Sequence, residues 1–331
     1  MNRSHFFERI RNWELWPFWV RYLPIAPVWL WYCIRAKSFW FFTASNPTLT
    51  FGGFEGESKK EMYAQLPTGS YPKTIYILPQ QSFEFLLLQL QQNKFDYPFV
   101  AKPDVGMSGI LFRVIENEQQ LKYYHENIPV EYLIQEKLTF PVEYSVFYYR
   151  YPNQQKGHIT GFLKKEPLQV IGDGKKNLLE LIIGHPKAKH RLAELEARHK
   201  SSLRQVIPVG EKYFLSHAAN LNRGGSFINL ADQIDDKLIN VFDELSYYTK
   251  SFFYGRWDFK GASVEDIKQK TKFSILEFNG SGAEPNHVYN TGYSYIGALS
   301  EFVKHWRVLY KISTYNHKHG ISYWPFLKGW R

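Results

Sequence analysis

Hydrophobic and polar positions follow two periods along this chain, and each period predicts a different element. Strands are predicted over 72–78, 97–103, 110–115, 131–137 and 142–148, and two more are expected within 159–170. The segment 142–148 shows the alternation of apolar and polar residues that is the period of a strand. Helical patterns cover 82–92, 118–127, 178–183 and 235–250, and a very polar, solvated helix is predicted over 186–205. Strands and helices alternate without internal repeats, which predicts a mixed α/β or α+β protein.

The first 45 residues are predicted to be helical, with breaks at prolines, and they are rich in aromatic side chains. Six of the ten tryptophans lie here, namely Trp13, Trp16, Trp19, Trp29, Trp31 and Trp40. The longest apolar stretch, 23–34, is shorter than the roughly 20 residues of a spanning helix and contains two prolines. Nor does an apolar run precede a small-residue cleavage site, so no secretory signal is expected. Tryptophans mixed with arginines and lysines suit a membrane–water interface. Packing on the body of the protein or on a second subunit is the equally weighted alternative, and a homodimer stays open.

The chain is basic, because 41 Lys and Arg residues stand against 31 Asp and Glu residues and give a net charge of +10. This balance favours anionic partners such as nucleotides, acidic substrates or an anionic membrane surface. No Lys/Arg-rich tract or RNA-binding motif is present, so nucleic acid is not an expected partner. The single cysteine, Cys33, excludes an intramolecular disulfide and fits a reducing compartment. We therefore expect a cytoplasmic protein, peripheral on the inner face of the membrane if the aromatic segment binds lipid.

Two short segments near the C-terminus, 255–259 and 274–280, carry the strongest candidate chemistry. Arg256 and Asp258 share one face of the first strand, and Glu277 and Asn279 share one face of the second. If the strands pair as a hairpin, two carboxylates and an amide oxygen converge, which is a donor set suited to Mg²⁺. Arg256 beside them could neutralise phosphate or a developing oxyanion. For these residues alone, a surface hairpin with ordinary polar side chains is the alternative.

Two glycine-containing loops are candidate phosphate sites. The first, 52–58, leads to a helix that Ser58 and Glu61 predict by a capping-box pattern, with Lys59 and Lys60 in its first turn. It lacks the spacing of a Walker A loop, and an ordinary capped loop is the alternative. The second loop, 104–109, follows a strand that ends in Lys102 and belongs to a compact strand–loop–strand–helix–strand unit. Its backbone N–H groups could bind phosphate while Lys102 supplies the charge.

Taken together, these motifs resemble the ATP-grasp superfamily over roughly residues 72–300. The resemblance implies an ATP-grasp fold, in which two α+β lobes clamp the nucleotide, preceded here by an atypical Trp-rich helical segment. It divides the chain into an N-terminal segment, 1–71, a unit containing the lid, 72–137 with the lid at about 97–137, and a C-terminal lobe with the Mg²⁺ site, 138–331.

The resemblance also implies roles for individual residues. Lys102 looks like the lysine that reaches the ATP phosphates, and Gly106, Ser108 and Gly109 look like the phosphate loop. Gln135, Glu136, Lys137 and Leu138 look like the adenine hinge, with the Glu136 side chain as amide partner, and Glu143 looks like the carboxylate that holds the ribose. Asp258, Glu277 and Asn279 fall on the Mg²⁺ ligands, with Mn²⁺ as an alternative metal, and Arg256 falls on the transition-state arginine.

Two branches of the superfamily share more of the spacing. D-alanine–D-alanine ligases share the Glu136–Glu143 spacing and both metal strands. Cyanophycin-synthetase-like ligases share the segment 165–174 and an Asn-x-Gly-Gly turn at 222–225, so Lys165 or Lys164 looks like a second phosphate or acyl-phosphate lysine. The aromatic front segment departs from both branches, and the substrates cannot be carried over.

The activity implied is an ATP- and Mg²⁺-dependent carboxylate–amine ligase. A small-molecule carboxylate would attack the γ-phosphorus, and an amine would then attack the acylphosphate, with Arg256 and the backbone of 280–282 as oxyanion candidates. This agrees with the lack of a convincing Ser/His/Asp or Cys/His set. An ATP-grasp kinase acting on a small-molecule hydroxyl or carboxylate, and a non-catalytic nucleotide-binding module at the membrane, are the alternatives.

Overall fold

The computed structural model describes residues 12–105, 111–216 and 219–330. Helices and strands alternate along these residues, as the sequence patterns predict. The helices are α1 Phe18–Tyr22, α2 Ala26–Ala36, α3 Lys59–Tyr63, α4 Phe83–Gln92, α5 Glu118–Asn127, α6 Leu178–Gly184, α7 Leu192–Arg198, α8 Asp236–Tyr248, α9 Val264–Lys268, α10 Tyr295–Lys318 and α11 Phe326–Gly329. The strands are β1 Thr74–Ile77, β2 Phe99–Pro103, β3 Arg113–Ile115, β4 Tyr132–Glu136, β5 Val142–Tyr149, β6 His158–Glu166, β7 Gln169–Ile171, β8 Lys212–Phe214, β9 Ser226–Asn229, β10 Tyr254–Gly261 and β11 Phe273–Asn279.

The chain divides into two compact units, of which the first contains the residues up to Leu163 and from Asn229 onward. A four-stranded sheet in this unit has the order β1-β4-β2-β3, and its paired strands are antiparallel. Helices α4 and α5 bury Leu86, Leu90 and Leu121 against Phe99 and Ile134 of the sheet. The apolar stripe of each helix thus packs on one face of the sheet, which is the layered arrangement expected of an α+β protein.

A five-stranded sheet has the order β11-β10-β5-β6-β9, and the ranges of β6 and β9 cross the boundary between the units. One face of its central strands is strongly apolar, because Tyr144, Val146, Trp257, Phe259 and Phe278 are buried in one hydrophobic cluster with helix α8. Burying such large side chains is the main favourable contribution to this part of the fold. The opposite face carries the polar residues of β5, β10 and β11.

The second unit, Lys164–Ile228, has its own small core. Strands β7 and β8 pair antiparallel, and helices α6 and α7 pack with them around Leu178, Ile182 and Leu195. The single long helix predicted over 186–205 is wrong. The chain instead forms a 3₁₀ turn, Ala188–Arg191, followed by α7, and Ala188 and Leu195 are buried rather than solvated.

The aromatic front segment packs on the long C-terminal helix, as far as it lies within the described residues. Tyr22 stacks on Phe302, and Trp29 packs edge-on against Trp306. Tyr32 stacks on Tyr310 with ring centroids 4.6 Å apart. Packing on the body is therefore one role of this segment, and it leaves other aromatic side chains exposed. None of the described helices combines the length and the apolar character that a membrane crossing requires.

The predicted α+β fold class is confirmed. The predicted domain boundaries at 71 and 137 stay a prediction.

Candidate active site

Strands β10 and β11 form the predicted hairpin, and it brings four polar side chains onto one face. Asp258 lies directly opposite Glu277, and Arg256 lies opposite Asn279. The register shifts after Asp258, where Leu276 is the extra residue of a β-bulge. The Leu276 carbonyl accepts a hydrogen bond from the Tyr63 hydroxyl at 2.6 Å. The bulge is thus anchored to helix α3 immediately beside Glu277.

Arg256 is fixed by the neighbouring carboxylate. Its Nε and Nη2 atoms both donate to Oδ2 of Asp258, at 3.2 and 3.1 Å. Burial alone would lower the pKa of Arg256, but the carboxylates of Asp258 and Glu277 raise it above its usual range. Nη1 lies 3.5 Å from the backbone carbonyl of Glu284. The guanidinium is therefore charged and held at one position, as a group that stabilises an anion must be.

Lys102 on strand β2 faces the same cluster. Burial and, to a smaller extent, the Lys59 ammonium lower its pKa, the carboxylates of Glu277 and Glu143 partly oppose both effects, and the net pKa is about 8. Lys59 itself is buried and donates through Nζ to the carbonyl of Asp104 at 3.0 Å. Two lysines and two carboxylates from four different elements therefore lie within one another's electrostatic field.

Helix α3 begins where the sequence predicts and ends at Tyr63. The Ser58 hydroxyl accepts from the backbone N–H of Glu61 at 3.1 Å, as a helix cap does. The Glu61 carboxylate does not complete the predicted capping box. It accepts from the Thr50 backbone N–H at 2.6 Å and ties the glycine-containing loop to the helix.

Glu143 and Ser145 extend the polar face onto strand β5, where they lie opposite Lys260 and Asp258. The Ser145 hydroxyl accepts from the amide of Asn286 at 3.1 Å. Asn286 belongs to the segment that follows β11, so this segment contacts the polar face at Ser145 and at Arg256.

The side chains of the predicted adenine hinge are already bound within the protein. Gln135 is buried and donates to the hydroxyls of Tyr63 and Thr74 at 3.0 and 2.8 Å. The carboxylate of Glu136 is exposed and accepts from the backbone N–H of Lys73 at 2.9 Å. An adenine amino group that used the Glu136 side chain would share this carboxylate with the Lys73 N–H. Lys137 and Leu138 follow β4 directly, and their predicted contacts with the base stay predictions.

Two predicted groups cannot be placed in this cluster. Gly106, Ser108 and Gly109 lie outside the described residues. Lys165 lies in the second unit, where its side chain is buried, and Lys164 forms an ion pair with Glu166 at 3.0 Å. The role predicted for Lys165 stays a prediction.

Two of the three backbone N–H groups of 280–282, the predicted oxyanion candidates, already donate within the protein. The N–H of Ser281 donates to the carbonyl of Gly52 at 3.0 Å, and that of Gly282 donates to Gly53 at 3.1 Å. The two glycine segments approach so closely that a Cβ on Gly280 would lie 2.5 Å from the Gly52 carbonyl oxygen. These two donors hold the loop 52–53 against the end of β11, which leaves Arg256 as the main candidate of the predicted oxyanion set.

The oxygen donors of the hairpin fit Mg²⁺. Like charges directly opposite each other destabilise a strand pair, so Asp258 and Glu277 favour a cation between them. Asn279 adds an amide on the same face, and its buried Nδ2 has no hydrogen-bond partner among the described residues. No hydrogen bond through that nitrogen therefore fixes the orientation of the amide. The three residues would hold the ion through hard oxygen ligands, as Mg²⁺ prefers.

Sequence reasoning missed three residues at this site, namely Glu57, Glu284 and Asn286. Glu57 lies close enough for Glu277 to raise its pKa, although burial is the larger cause. Asn286 and Glu284 belong to the segment after β11, which carries no local motif. Lys59 was predicted as part of a candidate phosphate site, because it follows a helix cap. Its proximity to Lys102 was not predicted, since no local pattern links the two residues.

The front segment reaches this site through Glu284. The hydroxyls of Tyr22 and Tyr289 donate to Oε1 of Glu284, and Nη1 of Arg21 lies 3.9 Å from the same oxygen. The backbone carbonyl of Glu284 lies near the Arg256 guanidinium. Glu284 therefore links helix α1 to Arg256.

Comparison with known proteins gives weak but consistent similarities. No family model matches the chain. In an alignment of 147 residues that covers 40% of the chain, it is 25% identical to the glutathione biosynthesis bifunctional protein of Clostridium perfringens, and the match spans 19% of that protein.

Solved structures similar to this one include a bifunctional glutathione synthetase from Pasteurella multocida, with a TM-score of 0.41 and 17% identity over 75% of this chain and 34% of the other. A D-alanine–D-alanine ligase from Bacillus anthracis gives a TM-score of 0.45 and 12% identity over 80% of this chain and 69% of the other. At these values the matches describe a likeness alone. They agree with the resemblance that the sequence motifs carry, and the expected similarity to D-alanine–D-alanine ligases is confirmed as a similarity.

Proposed function

We propose that this protein is an ATP- and Mg²⁺-dependent carboxylate–amine ligase that forms an amide through an acylphosphate. The observation that carries the proposal is the opposition of Asp258 and Glu277 across β10 and β11, beside Arg256 and in the electrostatic field of Lys102. Two carboxylates that favour a cation, next to two positive side chains, form a site for a metal–polyphosphate complex rather than for an anion or a cation alone.

Each charged residue has a distinct task in this proposal. Lys102 and Lys59 would bind the triphosphate, and Asp258, Glu277 and Asn279 would hold Mg²⁺, which neutralises phosphate charge when bound. The substrate carboxylate attacks the γ-phosphorus and ADP leaves. The amine then attacks the acyl carbon, phosphate leaves, and the guanidinium of Arg256 stabilises the negative charge that develops on oxygen.

ADP release and mass spectrometry test the proposal. The full chain should release ADP from ATP and Mg²⁺ only when both an acid and an amine from a substrate panel are present. The product mass should equal the sum of acid and amine minus one water. ATP consumption that requires a hydroxyl acceptor and ignores amines would instead identify a kinase, and ATP binding without turnover on any panel would favour a non-catalytic module.

Peripheral membrane attachment is proposed for the outer face of the front segment. Trp19 and Trp31 are 68% and 56% exposed, and Leu23 and Ile34 are exposed beside them. Arg35 is also exposed, at the end of α2. Exposed tryptophans combined with basic side chains favour the interface of an anionic bilayer, where rings enter the headgroup region and cations meet lipid charge.

We expect the full chain to co-sediment with vesicles that contain anionic lipid. Replacement of both Trp19 and Trp31 by serine should reduce the bound fraction severalfold, because two interfacial rings are lost. Tyr123→Ser on helix α5, where the ring is 71% exposed, is the matched control and should bind as the unmodified chain does. Recovery of the unmodified chain entirely in the supernatant would contradict the proposal.

A further inference from the structure

A second cluster of ligand-type side chains lies beside the candidate active site and takes no part in the proposed reaction. Glu301 and His305 are four residues apart on helix α10, so they share one face of the helix. His287 comes from the short turn Asn286–Val288. Both histidines are buried, and the Glu301 side chain is only 13% exposed. A buried carboxylate between two buried imidazoles requires an explanation.

Two of the distances in the cluster match those between ligands of one metal ion. Nε2 of His287 lies 3.4 Å from Oε1 of Glu301, and Nε2 of His305 lies 3.5 Å from the same oxygen. One ligand atom from each residue can be chosen so that all three lie within 4.8 Å of one another. Two ligand atoms at adjacent corners of a tetrahedron, each about 2.1 Å from a zinc ion, are separated by about 3.4 Å.

A cluster held by hydrogen bonds alone accounts less well for these atoms. Nε2 of each histidine faces Oε1 of Glu301 at ion-pair distance but without hydrogen-bond geometry, and Nδ1 of His287 is buried without a hydrogen-bond partner among the described residues. Buried polar atoms are nearly always satisfied in native structures, and one accepted reason for exceptions is an ion. A single cation would satisfy both Nε2 atoms and the Glu301 oxygen at once.

Neighbouring groups orient the three side chains as outer residues do around a metal. Nζ of Lys304 lies 3.0 Å from the second carboxylate oxygen of Glu301. The Tyr254 hydroxyl lies 3.3 Å from Nδ1 of His305, so this nitrogen would carry the proton when Nε2 is a ligand. Gly161 makes room for His287, because a Cβ at that position would lie 2.3 Å from Nδ1 of the imidazole.

We propose that His287, Glu301 and His305 bind one first-row transition-metal ion of the zinc type. Two imidazoles and one carboxylate prefer Zn²⁺ or Co²⁺ to Mg²⁺, whose ligands are oxygens. Three protein ligands leave a fourth position for water. The proposal does not depend on ligase activity, and its metal is distinct from the Mg²⁺ proposed at Asp258 and Glu277.

The ion would fix the segment that follows β11. His287 follows Asn286, which contacts Ser145, and lies three residues after Glu284, which contacts Arg256. Binding at His287 would tie this segment to helix α10. The site therefore acts as a clamp that positions the segment next to Arg256.

The test uses the full chain without a histidine tag, stripped with a chelator, incubated with a small excess of Zn²⁺ and then desalted. We expect it to retain one equivalent of Zn²⁺, measured by inductively coupled plasma mass spectrometry, in the presence of excess Mg²⁺. Co²⁺ should give visible d–d absorption of the intensity typical of four or five ligands, and Zn²⁺ should abolish it. Zinc content at background together with no cobalt spectrum would overturn the proposal, and this measurement needs no variant.

Variants then assign the ligands. Glu301→Gln and His287→Gln should each weaken Zn²⁺ binding by more than about a hundredfold, since each removes a direct ligand. His319→Gln changes an exposed histidine at the end of the same helix and should retain one equivalent. Circular dichroism shows whether each variant folds. If a folded variant lacking both Glu301 and His305 side chains keeps the full equivalent of Zn²⁺, the assignment is refuted.

Discussion

Replacing Glu277 by glutamine is expected to lower ATP turnover by more than about a hundredfold while the protein still folds. Glu277 is one of the two carboxylates that face each other across β10 and β11, and its charge also acts on Lys102. Glutamine has nearly the same shape, so the packing of Phe278 and Ile275 on the other face of the sheet is kept. The loss therefore concerns metal binding rather than stability.

Steady-state ADP release measures turnover, and Mn²⁺ binding followed by electron paramagnetic resonance reports the metal directly. Glu126→Gln is the matched control, because Glu126 is exposed on helix α5 and should tolerate the change without loss. Near-normal turnover and unchanged Mn²⁺ affinity in a folded Glu277→Gln variant would refute the metal role of this residue.

Local patterns were sufficient to predict the metal hairpin. Arg256, Asp258, Glu277 and Asn279 reach one face because strands alternate their side chains and strands that follow each other in the chain commonly pair. The residues on the other face of these strands, such as Trp257, are buried. Their burial fixes the register of the strand pair. Alternation and burial point to the same arrangement, so the sequence alone could predict it.

Contacts between distant segments could not be predicted from the sequence. Lys59, on helix α3, donates to the Asp104 carbonyl just after strand β2. This bond brings its ammonium close enough to lower the pKa of Lys102. The N–H groups of 281 and 282 are occupied by a glycine segment more than two hundred residues earlier in the chain. His287 contacts Glu301 because of the course of the irregular segment between β11 and α10. No periodicity or residue spacing predicts these long-range contacts, since they depend on how whole helices, strands and loops pack together.

The helix predicted over 186–205 failed for a related reason. Its many charged residues suggested a solvated surface helix, but Ala188, Leu192 and Leu195 supply enough apolar surface to pack on α6 and β7. The chain forms a 3₁₀ turn and then the short helix α7, and this arrangement buries Ala188 and Leu195. Tertiary packing thus overrode a local pattern in which polar residues predominate.

The second large effect is expected at Lys102, where methionine should weaken ATP binding by about tenfold to a hundredfold. Methionine keeps the length and the apolar stem of lysine and removes the ammonium that would meet phosphate oxygens. Isothermal titration calorimetry with a non-hydrolysable ATP analogue measures the affinity without turnover. Lys122→Met, at an exposed position on helix α5, is the control and should bind as the unmodified chain does. Equal affinity of the Lys102→Met and Lys122→Met variants would contradict the phosphate role.

The lowered pKa of Lys102 also predicts how nucleotide affinity depends on pH. Burial and Lys59 place this pKa at about 8 in the free protein, so the ammonium loses its proton as the pH rises through that value. Phosphate next to the ammonium favours the charged form and raises the pKa again. Nucleotide binding at pH about 8 should therefore take up close to half a proton, and the affinity should fall above that pH. Calorimetry without divalent metal, in buffers of different ionisation enthalpy, measures the uptake, which should vanish in Lys102→Met. Proton uptake that persists in the methionine variant would show that another group carries the charge at this site.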